Sequence, residues 1–188
     1  MINKHDSDEE LVLLVRKGND NAFNELYQRY AKRMLFFFYT RLNQDEQIAQ
    51  DCLQDLFIKV LDKLNTFDTN QRFLSWIYAI ASNMCKNKYR KNERSWTKDQ
   101  NFDWTQLIDI NAIENLSSSI DKELFTTSLQ KELSKMSDDN RMIFLLKHQD
   151  GLTVPEISEI IGCPEGTVKS KLFYTIKKLC IELKVFNE

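Results

Sequence analysis

The sequence predicts an all-α protein with two small helical domains joined by a flexible linker. Glycine and proline, which interrupt helices, are scarce, with 4 Gly and 2 Pro in 188 residues. Apolar residues recur at helical spacing through most of the chain. Between residues 95 and 120 this spacing is lost and the chain becomes polar and acidic. We therefore expect domains at residues 1–94 and 121–188, with the linker at 95–120.

The first domain is expected to hold four helices. Ser7 and Glu10 have the spacing of a capping box, so a short helix should begin there and end at Gly18. Asp20 is expected to cap the second helix. The remaining helices, each with apolar residues on one face, are expected at about 22–42, 45–64 and 72–92.

The second domain should also hold four helices, and its last two form a candidate helix-turn-helix. Thr153 and Glu156 have capping-box spacing, and Gly162 is placed to end that helix. A second helix should open at about Pro164 and turn an apolar face inward. A plain helical hairpin with a solvated lysine face is the alternative. The residues expected to face inward are Val168, Leu172, Ile176 and Leu179.

Composition excludes several classes of protein. The chain begins without a basic segment followed by an apolar run, and no stretch approaches the ~20 apolar residues that span a bilayer, so we expect a cytoplasmic protein. There is no glycine-rich phosphate loop, and no Ser or Cys has a plausible His base, so neither catalysis nor a cofactor is expected. The cysteines are widely spaced, which indicates reduced core thiols and no metal site. They are Cys52, Cys85, Cys163 and Cys180.

The charge distribution is uneven, although the net charge is only -2. Residues 84–94 and 162–184 are basic, and the acidic linker separates them. With so little overall positive charge, the chain is expected to bind DNA only weakly by itself at physiological salt. Another component should therefore bring it to DNA. Isolated Trp96 and Trp104 leave open whether the linker docks on a surface or remains a tether.

Two further helix faces are candidate binding surfaces. The fourth helix carries asparagine, lysine and arginine at i, i+3, i+4, i+7 and i+8, a combination suited to base edges and phosphates. An ordinary exposed face is the alternative. Those residues are Asn83, Lys86, Asn87, Arg90 and Lys91. The third helix has a polar, acidic flank that favours protein binding over a solvated face, and either of these over a metal pair at Asp51 and Asp55.

Four segments carry a resemblance to a known family. In order along the chain they are residues 8–23, Asp51–Val60, Phe73–Asn83 with Lys86 and Asn87, and the stretch 151–172. Together they resemble the sigma-70 type initiation factors of bacterial RNA polymerase, in the compact extracytoplasmic-function group that keeps only regions two and four. The segments are similar to the start of region two, its polymerase-binding helix, its minus-10 recognition helix and the region-four unit that reads the minus-35 element. The resemblance covers residues 7–183.

The resemblance implies a partner for each candidate surface. Core RNA polymerase would bind at Asp51, Gln54 and Asp55. The minus-10 element would meet Asn83, Lys86, Asn87, Arg90 and Lys91, with the loop at 66–72 helping to hold a flipped base. The minus-35 element would meet Lys147, Thr167, Lys169, Ser170, Lys171, Phe173 and Tyr174. Because the family often has arginine where this chain has lysine, the preferred promoter sequence does not carry over.

The expected function is therefore transcription initiation through binding and melting of promoter DNA, without covalent chemistry. Expected partners are core RNA polymerase, promoter DNA and an anti-sigma factor, which can be membrane-bound; no small-molecule substrate is expected. A stand-alone helix-turn-helix regulator would instead bind a palindrome tightly without polymerase. A helical interaction protein that has lost DNA binding is a third possibility.

Overall fold

The computed structural model describes residues 6–91 and 122–183, and within these ranges all regular secondary structure is helical, with no strand. The side chains of residues 89–91 and 122–123 are outside this description. The chain divides into two compact units, Met1–Phe102 and Asp103–Glu188. The predicted domain limits and the linker at 95–120 remain predictions, because residues 92–121 lie outside the described part.

The first unit contains four α-helices and one short 3-10 turn. Aromatic residues dominate its core, where the Phe37 and Tyr78 rings meet edge to face at 5.5 Å. Phe38, Leu56 and Phe73 are also fully buried, and the second, third and fourth helices pack on one another. The elements are α1 (Asp8–Arg16), α2 (Asp20–Arg41), α3 (Glu46–Lys63), the 3-10 turn (Leu64–Thr66) and α4 (Phe73–Lys91).

The start of α1 is confirmed, and that of α2 differs by one residue. Ser7 and Glu10 form both hydrogen bonds of a capping box. The prediction that Asp20 caps α2 is wrong, because the Asn19 Oδ1 atom accepts from the Ala22 backbone N–H at 3.2 Å. Asp20 is instead the first helical residue, where its negative charge interacts favourably with the positive end of the helix dipole.

The second unit contains α5 (Lys122–Ser134), α6 (Asp138–His148), α7 (Val154–Ile161) and α8 (Glu165–Glu182). Leu133, Ile143 and Ile157 are fully buried at its centre. A capping box of Thr153 and Glu156 opens α7, as predicted. Gly162 ends it with a φ of 76°, a left-handed conformation that glycine adopts without steric cost.

One residue of α8 differs from expectation. Ile176 was expected inside but is 38% exposed, and Thr175 is buried in its place. Positions 168, 172, 175 and 179 stay on one face because steps of four, three and four residues follow the helical repeat, whereas position 176 lies at the edge of that face.

Two cysteines also differ from expectation. Cys163 is half-buried and Cys180 is exposed, so neither is a core thiol; all four cysteines are free. No described helix is both long and apolar enough to cross a membrane.

Candidate nucleic-acid interface

The predicted stripe on α4 lies on the surface of the first unit. Asn83, Lys86 and Asn87 are all exposed, while Ala81 and Cys85 on the opposite side are buried. The spacing i, i+3, i+4 therefore places two amides and one cation on a common outer face. The backbone of α4 continues through Arg90 and Lys91, whose side chains lie outside the described part of the structure.

Lys88, next to this stripe, turns inward and ties α4 to α3. Its Nζ atom contacts the Cys52 Sγ atom at 3.3 Å. Burial raises the pKa of the Cys52 thiol, and the nearby Lys88 ammonium opposes this rise. Burial also raises the pKa of Cys85 to about 12. Both thiols are therefore protonated near neutral pH and serve as packing groups.

An exposed segment precedes α4. The Asp68 Oδ1 atom accepts from the Asn70 backbone N–H at 3.0 Å and from the Asn70 Nδ2 atom at 2.9 Å. These bonds form a tight turn stabilised by the aspartate side chain. Gln71 and Arg72 follow it and are also exposed. The segment leads into the start of α4, and Asn83 of the stripe lies eleven residues after Arg72, about 16 Å along the axis of this helix.

The polar flank of α3 is also exposed. Asp51, Gln54 and Asp55 all lie on the surface, opposite buried Cys52 and Leu56. They are one helical turn apart, so they present two carboxylates and an amide together.

Sequence reasoning missed two apolar residues on this flank. Ile58 is 58% exposed and lies seven residues after Asp51; Leu61 is 44% exposed and lies seven residues after Gln54. Residues seven apart on a helix share a line along its surface. The available signal was an isoleucine at a position that the inner helical face does not use. Exposed apolar side chains beside polar ones are typical of protein interfaces.

The predicted helix-turn-helix is present in the second unit. The Ser158 Oγ atom donates to the Cys163 backbone carbonyl at 2.6 Å across the turn. On the far side of the turn, the Thr167 backbone N–H donates to the Pro164 carbonyl at 2.8 Å and closes the first turn of α8. The turn between α7 and α8 is therefore held by side-chain and backbone bonds together.

The outer face of α8 combines cationic, hydroxyl and aromatic groups. Lys169 and Ser170 are exposed in its first half. Phe173 and Tyr174 are 61% and 66% exposed, and their rings meet edge to face at 5.4 Å. Lys169 has one neighbour of opposite charge, with its Nζ atom 3.4 Å from a Glu165 carboxylate oxygen. Such a face suits phosphates and the apolar edges of bases.

Two of the predicted minus-35 residues lie off this face, and a third is half-buried. The Lys147 Nζ atom donates to the Leu152 carbonyl at 3.3 Å, inside the connection between α6 and α7. Lys171 points toward α6, where its Nζ atom lies 3.2 Å from an Asp139 carboxylate oxygen. Thr167 is half-buried near the start of α8. The structure thus brings together Lys169, Ser170, Phe173 and Tyr174.

Within residues 6–91 and 122–183 no group of His, Cys, Asp or Glu is arranged to hold a metal ion. Two helical units, one of them with a helix-turn-helix, define the class of helical DNA-binding proteins. Family models of known proteins then match both units. The Sigma-70 region 2 model matches residues 26–95, and the Sigma-70, region 4 model matches residues 126–179.

Individual relatives agree with these matches. The sequence is 30% identical over 177 residues to the ECF RNA polymerase sigma-E factor of Haemophilus influenzae, covering 89% of this chain and 90% of the relative. It is 32% identical over 175 residues to the sigma-E factor of Escherichia coli K12, covering 89% of each. The chain belongs to the sigma-70 family of RNA polymerase sigma factors, in its extracytoplasmic-function group.

A solved structure supports the fold. It is the sigma factor RpoE of Bartonella quintana in complex with the anti-sigma factor NepR. The TM-score is 0.53 at 19% identity, and the match covers 87% of this chain and 97% of the other.

Proposed function

We infer that this chain is a transcription initiation factor that binds core RNA polymerase and directs it to promoters. The observation that carries the inference is the pair of cationic and polar helix faces, one in each unit of a sigma-70 family chain. With a net charge of -2, neither face is supported by a broad positive surface. Polymerase is the component that compensates for this weak unaided affinity. A stand-alone helix-turn-helix regulator is not favoured, since the family match includes both units.

We propose that α3 binds the polymerase. Asp51, Gln54 and Asp55 supply charges and hydrogen-bond acceptors, and the exposed Ile58 and Leu61 add apolar area beside them. Burying apolar side chains at an interface stabilises it by roughly 25 cal/mol per Å² removed from water. The carboxylates and amide would fix the orientation of the partner.

We propose that α4 and α8 read the promoter. Asn83, Lys86 and Asn87, followed by Arg90 and Lys91, would contact the opened minus-10 element, where asparagine amides can bond base edges. In the minus-35 element, Lys169 and Ser170 would contact phosphates or bases, and Phe173 and Tyr174 would pack on them. Lys147 and Lys171 are proposed to act mainly by holding the helices of this unit in place, because each contacts another group within the unit. Half-buried Thr167 lies seven residues before Tyr174 and is proposed to contact the minus-35 element at the edge of the same face.

Melting is the step that requires cooperation with polymerase. Separating base pairs costs about 1.4 kcal/mol per stacked step, so opening several exceeds what a few side chains supply. We propose that the protein itself carries out no covalent chemistry and that it works in the cytoplasm, where polymerase and promoters meet. An anti-sigma factor is a proposed further partner, because the solved relative was crystallised with one.

The test is run-off transcription from a promoter identified by mapping start sites after overexpression of the protein. We expect a specific transcript only when core enzyme and this protein are both present. Transcription that is unchanged when the protein is omitted would contradict the proposal. A gel shift without polymerase distinguishes the initiation factor from a stand-alone helix-turn-helix regulator, because such a regulator would bind the same DNA tightly by itself.

A further inference from the structure

The segment 68–72 lies between the 3-10 turn and α4 and is exposed except for half-buried Thr69. It is held at both ends by α1. At its first end, the Arg16 side chain reaches the backbone after α3. Its Nε and Nη2 atoms donate to the Leu64 carbonyl at 3.0 and 2.7 Å, and Nη2 also donates to the Phe67 carbonyl. The Leu64 carbonyl also accepts from the Phe67 backbone N–H at 3.3 Å, and the planar guanidinium fork joins this carbonyl to that of Phe67.

The second end is held by a carboxylate. The Glu9 Oε1 atom accepts from the backbone N–H of Phe73 at 2.9 Å, at the first residue of α4. That N–H is one of the groups that the start of a helix leaves without a partner inside the helix. The negative charge of Glu9 also interacts favourably with the positive end of the helix dipole. Glu9 thus fixes where α4 begins, although it lies 64 residues away in sequence.

Glu9 and Arg16 are seven residues apart on one helix, so they share a face of α1 and are separated by about 10 Å along its axis. A single helix therefore forms hydrogen bonds to the backbone on both sides of this segment. We propose that α1 is a positioning element that sets the shape of Asp68–Arg72 for capture of an unpaired minus-10 base. This rests on the proposed function and on the base-holding role that the family resemblance implies for the loop at 66–72. It gives Glu9 and Arg16 a role in promoter selectivity without any contact to DNA.

The core beneath the segment does not depend on these polar bonds. Phe67 and Phe73 are buried and meet edge to face at 5.7 Å, and both rings pack on Trp76. Loss of one polar bond should therefore loosen the exposed segment while this aromatic cluster keeps the unit folded. A captured base would then meet a pocket of variable shape, and discrimination between bases would decrease.

The experiment compares holoenzymes carrying Glu9→Ala or Arg16→Lys with unaltered holoenzyme. Glu9→Ala removes the acceptor, and Arg16→Lys keeps the charge but loses the fork. Glu9→Gln, which retains an oxygen acceptor, and Lys17→Ala at the exposed neighbouring residue are the matched controls. The readout is the ratio of initiation rates on two promoters that differ at one minus-10 base. The affinity for core polymerase and the midpoint of thermal unfolding are measured for each variant as well.

We expect the ratio to fall by about three- to ten-fold in both test variants, the scale of one lost hydrogen bond. Both controls should keep the ratio, and core binding should be unchanged throughout. Equal slowing on both promoters, with an unchanged ratio, would show a purely structural role and overturn the proposal. Failure of the proposed function would look different, since the unaltered protein would then give no promoter-specific initiation, and the proposal would fall with it.

Discussion

Replacing Arg141 with methionine should severely destabilise the second unit. Arg141 is 5% exposed, and its guanidinium donates to the Leu133, Ser134 and Met136 carbonyls at 3.1, 3.3 and 3.1 Å. It also pairs with the Asp138 carboxylate at 2.9 Å. Burial lowers the pKa of Arg141, and Asp138 opposes this shift, so the group remains charged at neutral pH. A single side chain thus closes the turn from α5 to α6.

The size of the effect follows from the hydrogen bonds that are lost. The Leu133 carbonyl would keep its bond from the Met136 backbone N–H at 3.1 Å, so loss of the guanidinium bond there should cost about 1 kcal/mol. The Ser134 and Met136 carbonyls are partly accessible to water, so each should cost about 1 kcal/mol or less. Loss of the ion pair with Asp138, whose side chain is 26% exposed, should cost up to about 1 kcal/mol more. We therefore expect Arg141→Met to lower the free energy of unfolding of this unit by about 2–4 kcal/mol.

The assay is urea unfolding of the full chain followed by circular dichroism, with the two units fitted as separate transitions. Lys169→Ala is the control, because the side chains of the Lys169–Glu165 ion pair in the same unit are 64% and 49% exposed. Exposed pairs contribute about 0–1 kcal/mol. A loss below about 1 kcal/mol for Arg141→Met would refute the reasoning that buried carbonyls need this guanidinium.

Three further predictions use the exposed surfaces and the thiols. Lys169→Ala should reduce by about 1 the slope of log affinity against log salt for holoenzyme on promoter DNA, measured by filter binding; an unchanged slope would remove Lys169 from the phosphate contacts. Ile58→Lys should weaken binding to core polymerase by about ten-fold in a fluorescence titration, whereas Lys63→Ala should not, and equal affinities would exclude Ile58 from the interface. Iodoacetamide should modify exposed Cys180 well before Cys85, as followed by peptide mass spectrometry. Because the pKa of Cys85 is raised to about 12, its modification should accelerate as pH rises toward that value, and early modification of Cys85 at pH 8 would contradict its burial.

Local features of the fold could be predicted from sequence. Ser7 with Glu10, and Thr153 with Glu156, form capping boxes because both partners lie within one helical turn. Gly162 ends α7 because the required left-handed conformation is set by the residue itself. Each of these features depends on a few neighbouring residues, so the sequence contains all the information needed.

Contacts between distant residues could not be predicted in this way. Lys171 appeared to be an outward cation, but packing of α6 on α8 brings Asp139 to it from 32 residues away. Arg16 holds the Leu64 carbonyl across 48 residues, and nothing in its local spacing indicates this. The error at Ile176 is more local. An error of one position in the apolar period is enough to assign an exposed side chain to the core.

Permanganate footprinting of thymines near the start site tests the central claim most directly, since it detects unpaired bases. The account predicts reactive thymines within the minus-10 element only when core polymerase and this protein are both present. Asn83→Ala combined with Asn87→Ala should reduce this reactivity while core binding is preserved. Reactive thymines with the protein alone, or none with the complete holoenzyme on a promoter that it binds, would contradict the account.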